Sequence, residues 1–299
     1  MVCSLPFLKK RSSCLTKTLE TLVEDVYGIL GTGTAQPTDE QLEALGKAIA
    51  SHVKYALAKP EPGPSVRPSN LGLKCDRKNW YHEHSDHDKK EKIQPHALIK
   101  FLLGHVYEEI GLFLIEQAGH NVSHRQHKVN VLGVEGSMDA VIDGVVCDVK
   151  TASSYAMKKF RNNNLREDDP FGYITQINTY AEGLKDDKAV TDRERVAFVV
   201  FDKEHGHISI DQYKRTDADR AKVGESIARK QSAVAGSTPP ERGHADRNDG
   251  SSGNMALGTE CSYCEWKKEC WPGLRTFLYS NGPRFLTEVV LTPSVPEIK

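Results

Sequence analysis

Asp139, Asp148 and Lys150 are the residues whose types and spacing could do chemistry. Two runs rich in β-branched residues flank Asp143-Gly144, a dipeptide that favours a two-residue turn because both positions tolerate positive φ. The spacing predicts a β-hairpin with Ile142 opposite Val145, Val141 opposite Val146, Ala140 opposite Cys147 and Asp139 opposite Asp148. One face then carries Ala140, Ile142, Val145, Cys147 and Val149 and belongs to a core, while the other carries Asp139, Asp148 and Lys150. Carboxylates directly opposite in a ladder have Cβ atoms about 4.5–5.5 Å apart, and their repulsion needs an offset. Mg²⁺ or Mn²⁺ would supply one, since both take hard oxygen ligands and leave positions for water and phosphate. An ammonium beside such an ion could orient an attacking water or offset charge on a phosphoryl oxygen, as metal-assisted phosphodiester hydrolysis requires. A hairpin whose polar face is simply solvated has the same pattern, and three residues do not separate the two.

The rest of the chain has to position these groups. At 299 residues it can bury a sizeable core, and one main domain with appendages is expected. The formal net charge is −1, so a nucleic-acid surface has to be a local patch. No apolar run approaches the roughly 18 residues of a membrane span. Met1–Lys10 lacks the order of a secretory signal, so a cytoplasmic protein is expected. Seven cysteines suit a reducing compartment, where clustered thiols bind metal more often than they form disulfides.

Leu15–Leu30 and Thr38–Leu57 read as helices, the second opened by the capping-box pattern Thr38-Asp39-Glu40-Gln41. They predict a helical N-terminal appendage over residues 1–70, ended by the linker Lys59-Pro60-Glu61-Pro62-Gly63-Pro64, with the main domain over 71–299. The histidine-rich run Tyr81–His87 closes no four-ligand zinc site and reads as a solvated loop. Ala97–Ala118 is the strongest helical segment, apolar at Leu98, Phe101, Leu102, Ile110, Phe113 and Leu114. Taken alone, Glu108 and Glu109 mark its wet side. Gln126–Leu132 reads as a strand. Thr151–Arg166 is locally basic through Lys158, Lys159, Arg161 and Arg166, a patch that would hold phosphates or simply be solvated. Pro170–Leu184 reads as a helix with Phe171, Ile174, Ile177 and Ala181 on its apolar face and Gln176 one turn from Tyr180. Val196–Phe201 is a buried strand, His207–Asp211 an edge strand and Asp217–Val234 a helix. Gly236–Gly258, with hardly an apolar residue, reads as a mobile loop.

Cys261-x2-Cys264-x5-Cys270 supplies three thiolates to a soft metal, and Cys75 could supply the fourth, for tetrahedral zinc or an iron-sulfur cluster. The hairpin register turns Cys147 into the core, and Cys3 and Cys14 read as ordinary thiols. A metal joining Cys75 to the triplet would clamp a long loop, which is a structural role.

Taken in order, these pieces resemble the PD-(D/E)XK nuclease superfamily, in its RecB-like branch with a four-cysteine iron-sulfur cluster. That branch holds the AddB nuclease domain and the CRISPR-associated adaptation exonucleases. The residues that carry the resemblance are Gly104-x3-Glu108 with His105, Gly136-x2-Asp139, Asp148-x-Lys150, Gln176-x3-Tyr180 and the cysteine layout, over Leu73 to Pro272. It implies an α/β fold with a restriction-endonuclease-like core, a central mixed sheet flanked by helices, and a C-terminal cysteine cluster. It implies that Asp139 and Asp148 bind Mg²⁺ or Mn²⁺, that Lys150 positions or activates the water, and that Gln176 and Tyr180 brace the site and contact DNA. It also implies a [4Fe-4S] cluster on Cys75, Cys261, Cys264 and Cys270, where spacing alone leaves Zn²⁺ open. The family's usual Glu is Asp148 here, a shorter reach that still ligates. Either His105 or Glu108 could reach the metal, and Glu108 is preferred because a hard oxygen suits Mg²⁺. The expected activity is a metal-dependent DNA exonuclease acting on single strands or duplex ends in recombination, repair or phage DNA processing, in a bacterial or phage-infected cell. Lys158, Lys159 and Arg161 would hold the DNA, and the N-terminal helices would meet a recombination or replication protein. Two alternatives are an endonuclease, such as one that trims CRISPR spacer precursors, and a non-catalytic DNA-binding module.

Overall fold

The computed structural model describes residues 17–58 and 62–298. Cys3, Cys14, the start of the first expected helix and the first half of the proline-rich linker lie outside the described residues. The Asp143-Gly144 turn forms as its residue types require, with φ of 50° and 82°. A Cβ on Gly144 would lie 1.9 Å from Thr191 Oγ1, so the position is closed to any side chain. The turn joins β4 (Ala140–Ile142) to β5 (Val145–Ala152) in the expected register, from Ile142 opposite Val145 to Ala140 opposite Cys147. β5 pairs in parallel with β6 (Arg195–Asp202), β6 pairs antiparallel with the edge strand β7 (Ile208–Lys214), and β1 (Val122–Ser123) lies outside β4. The class is therefore α/β with a central mixed sheet, ordered β1-β4-β5-β6-β7. Where one strand was expected before the hairpin there are two, β2 (His127–Val131) and β3 (Val134–Met138), paired as a separate ribbon. Their turn places Leu132 at φ 50°, and leucine gives no turn signature.

Both faces of the sheet are covered, because β5 and β6 are apolar on alternate residues of each face. Beneath it lie α1 (Leu22–Thr32) and α5 (Pro95–Gln117), whose Leu22, Val26, Leu112 and Ile115 pack with Ala140, Ile142, Val145, Cys147 and Val149. α1 is thus built into the body, and the expected separation of residues 1–70 does not extend to it. By contrast α2 (Asp39–Leu57), opened by the expected Thr38/Gln41 capping box, buries no residue and lies against α5. Gly111 sets where α5 crosses the sheet, since a Cβ there would be 2.4 Å from the Phe201 ring. Phe101 lies ten residues back, roughly 15 Å along the axis. It is 57% exposed instead of lying in the expected apolar stripe.

Above the sheet, Val141, Val146, Phe198 and Val200 meet α3 (Pro68–Leu71), α6 (Ser154–Arg161), α7 (Tyr173–Gly183) and α8 (Asp217–Ala235). The expected solvated loop Tyr81–His87 is mostly α4 (Arg77–His84), with Asn79 and Tyr81 buried. Phe171 is 60% exposed, not on the apolar face of α7, which starts two residues later. Gly236–Gly258 is not a free loop. Its β8 (Arg247–Asn248) and β9 (Met255–Ala256) join β10 (Arg275–Tyr279), β11 (Gly282–Glu288) and β12 (Glu297–Ile298) in a second sheet around Ala256, Phe277 and Leu286. Buried Asn254 fastens this segment by accepting the Val290 and Leu291 N–H groups, both at 2.8 Å. Between β9 and β10, the short helices α9 (Thr259–Ser262) and α10 (Lys267–Cys270) carry Cys261 and Cys270, with Cys264 in the turn that joins them. Among the described residues no helix is long and apolar enough to cross a membrane.

Candidate active site

Asp139 lies in the break between β3 and β4, so the expected ladder pair with Asp148 does not form and pairing stops at Ala140 and Cys147. Instead its Oδ2 accepts the Val149 N–H at 2.7 Å, which brings the carboxylate across β5 beside Asp148. Burial pushes the Asp139 carboxyl well above its ordinary range, and the charges of Asp148 and Glu108 push the same way. Asp148 is 1% exposed. Burial also raises its pKa; Lys150 pulls it down, Glu108 pushes it up, and the net direction is upward. Lys150 Nζ is ion-paired to Asp148 Oδ2. Burial opposes the charge on Lys150, yet Asp148 and Asp139 outweigh it, so its pKa rises and the amine is a cation. The same Nζ stands 4.8 Å from the centre of the Tyr173 ring. Because Gln176 and Tyr180 are one turn apart on α7, a single amide serves both partners: Gln176 Nε2 donates to Asp148 Oδ1 and to the Tyr180 hydroxyl, each at 3.3 Å.

Glu108 enters from α5. It is 7% exposed, accepts the Gln126 side-chain amide, and its charge acts on both aspartates. Its neighbour Glu109 is equally buried, held by Arg125 at 2.7 Å and His52 at 3.1 Å. The wet-side reading of these two acids therefore fails, because α2 and the Arg125-Gln126 turn cover that side of α5. His105 stacks on His52 at 4.8 Å and stands 4.0 Å from Glu108, which raises the imidazole pKa, with the Glu109 charge adding to the rise. Glu108, rather than His105, is the α5 residue in electrostatic contact with the aspartates.

The described cysteines outside the core lie within range of one another's charge. Burial pushes the Cys261 thiol up to about 12, and Cys264, Cys75 and Cys270 all add to it. Cys264 is pushed up to about 11 by burial, with Cys75 contributing in the same direction. All four are free thiols. Cys147 is fully buried in the core and apart from them, as the hairpin register requires. Cys75, Cys264 and Cys270 are near enough for their charges to act on Cys261, and four thiols are the residue types that a soft cation takes.

A further group of possible metal ligands follows β6: ligand atoms of Asp202, Glu204 and His205 all lie within 4.8 Å of one another. Nothing in their spacing had marked them. Ser154 Oγ bonds to each of the three, at 3.1 Å and 3.2 Å to Asp202 and 2.8 Å to the other two. These contacts also tie down the first turn of α6.

No protein-family model and no curated protein matches the chain. Among solved structures it is similar to a crystal structure of SSO0001, with 16% identity and a TM-score of 0.39 over 74% of this chain and 91% of that one. It is also similar to LHK-Exo in complex with dAMP, with 16% identity and a TM-score of 0.35 over 63% of this chain and 94% of that one. LHK-Exo is named as an exonuclease, but at such scores the likeness says nothing about activity here.

The basic stretch after Lys150 is ordered as the end of β5 followed by α6. Two of its cations are occupied, Lys159 by Asp168 at 2.6 Å and Arg166 by Asp219 at 2.8 Å. Lys158 and Arg161 are exposed and in no ion pair among the described residues. Sequence reasoning missed Gln126 and Tyr173. Gln126 sits at φ 51° outside any element, where no pattern singles it out. Tyr173 stands three residues before Gln176, on the same side of α7, and that spacing was a usable signal.

Proposed function

We propose that the chain is a metal-dependent deoxyribonuclease, with exonuclease action favoured. The observation that carries this is the grouping of Asp139, Asp148 and Glu108 with one lysine, in which burial and the Glu108 charge drive both aspartate pKa values up and the Asp148 charge adds to the rise at Asp139. Such crowding is costly for a binding surface and suits a divalent cation. Asp139, Asp148 and Glu108 would hold Mg²⁺ or Mn²⁺, which when bound polarises the phosphate and acidifies a water. Lys150, whose amine lies against Asp148, would position or activate the attacking water or offset charge on a phosphoryl oxygen. Gln176 fixes the Asp148 carboxylate and Tyr180 fixes Gln176, which leaves the pair little rotamer freedom. In the reaction the water oxygen bonds to phosphorus and one ester P–O bond breaks, leaving a phosphate and a hydroxyl. Lys158 and Arg161 are the cations free to hold the strand.

In this reading Cys75, Cys261, Cys264 and Cys270 hold a structural [4Fe-4S] cluster, with Zn²⁺ as the other ion their four thiols suit. The test of the activity is digestion of end-labelled DNA in Mg²⁺ or Mn²⁺. Asp148→Asn should abolish cleavage while circular dichroism stays that of the parent, and undiminished digestion overturns the proposal. Circular single-stranded DNA separates the two modes, since an exonuclease leaves it intact.

A further inference from the structure

β5 ends two residues beyond Lys150, and α6 opens at once, with Ser153 as its N-cap. One side of α6 is spent on the core, where Met157 and Phe160 are 1% and 5% exposed. Tyr155, Lys158 and Arg161 follow one another at three-residue steps and share the outward side. Tyr155 is 85% exposed, so its ring is offered to solvent without packing. α6 itself contains no acid. Of the acids near it, Asp202 and Glu204 are held by Ser154, Asp168 is held by Lys159, and Glu167 is exposed in the following turn.

A second aromatic lead starts at the catalytic lysine. The Tyr173 ring lies 4.8 Å from Lys150 Nζ, and the Phe171 ring stacks 5.4 Å from Tyr173 at 26° while remaining 60% exposed. π-faces therefore run from Lys150 to the surface through Tyr173 and Phe171, and α6 presents a tyrosine followed by two cations in no ion pair among the described residues. Stacked duplex bases cannot offer their faces to such rings, whereas an unpaired strand can offer every base regardless of sequence.

We infer that Tyr155 and Phe171, with Lys158 and Arg161, form a base-stacking and phosphate-holding track that delivers single-stranded DNA to Lys150. The inference rests on the nuclease reading above and narrows its substrate to unpaired strands. Each base stacked on an aromatic side chain typically contributes about 1–3 kcal/mol, or roughly fivefold to a hundredfold in affinity.

The test uses the full chain carrying Asp148→Asn in Mg²⁺, so that the probe is bound and not digested. Fluorescein-labelled oligo-dT and a duplex of equal length are titrated by anisotropy. Adding Tyr155→Ala should weaken oligo-dT binding about fivefold or more and change duplex binding less than twofold, while Tyr155→Trp should restore it. 2-Aminopurine placed in the strand should lose fluorescence on binding to the parent and not to the Tyr155→Ala chain. An equal effect on both probes, or no effect on either, overturns the track. Digestion of the same strands by the unsubstituted chain is measured separately. Cleavage with no role for Tyr155 removes the track alone, and stacking without cleavage removes the nuclease reading alone.

Discussion

Replacing Asp211 by asparagine should stabilise the protein at neutral and alkaline pH. Asp211 lies on β7, directly opposite Phe198 of β6, and is fully buried. Its Oδ2 accepts the Tyr213 hydroxyl at 2.7 Å, and Oδ1 has no hydrogen-bond partner. Among the described residues no cation offsets this, so burial pushes the carboxyl from 3.8 up to about 7, against the downward pull of Tyr213. The folded state therefore binds the proton more tightly than the unfolded chain. The group's contribution is most favourable below pH 3.8 and is lost as pH rises from there through about 7. A displacement of that size corresponds to on the order of 4 kcal/mol, with nearly all of the loss complete near pH 7. The substituted amide would keep an acceptor for Tyr213 and carry no charge. The assay is urea unfolding of parent and Asp211→Asn at pH 4, 6 and 8, where the difference between the two chains cancels every other titrating group. The variant should gain on the parent as pH rises, reaching a few kcal/mol at pH 8. A difference that does not vary with pH, or a variant less stable than the parent at pH 8, would refute the reasoning.

Two further outcomes are expected. Cys261→Ser or Cys270→Ser should release the metal bound by the anaerobically purified parent, which is brown with broad absorption near ~400 nm if it holds iron and sulfide. A colourless parent with stoichiometric zinc would assign Zn²⁺ instead. Lys230, fully buried on α8, donates to the Cys75 carbonyl at 3.1 Å and Asn79 at 2.9 Å and pairs with Asp76 at 2.9 Å. Lys230→Ala should cost about 3 kcal/mol, the low end for breaking a buried pair, since Arg229 still faces Asp76. Denaturant unfolding with a loss under about 1 kcal/mol would contradict that.

What could be read in the sequence was local. Asp143-Gly144 fixes its own turn, the two-residue period fixes which of Ala140 to Val149 face each layer, and Thr38 with Gln41 caps its own helix. What could not be read depended on distant partners. β8 and β9 are two residues each, and only their pairing with β11 and each other makes them strands. Asp211 ends the expected edge strand His207–Asp211, and nothing local marks that its side shares the layer of Phe198 and Tyr213. Phe171 looked like the first core residue of a helix, but α7 starts only at Tyr173, after a left-handed Gly172. At the site, the types were legible and the geometry was not. The two aspartates come together through the Val149 N–H and not through a ladder pair.

That difference bears on how the site is built. A continuous strand through Asp139 would place its carboxylate on one face of a closed sheet, where the helices of the other layer could not reach it. Because β3 ends before Asp139 and β4 starts after it, the sheet is open at that point. Glu108 on α5, from the layer below, and Gln176 on α7, from the layer above, can then act on the same pair of aspartates. The break therefore costs ladder hydrogen bonds at one residue and gains a cluster drawn from both layers. The Val149 N–H bond to Asp139 Oδ2 recovers one of those bonds and sets the carboxylate's orientation. The cysteine cluster is attached elsewhere in the same frame: Lys230 ties Cys75 to α8, and α8 packs on α7, which carries Gln176 and Tyr180. Loss of the metal proposed for the cysteines should thus first release the strands after Gly236, while the aspartates, held by β5 and α7, keep their arrangement.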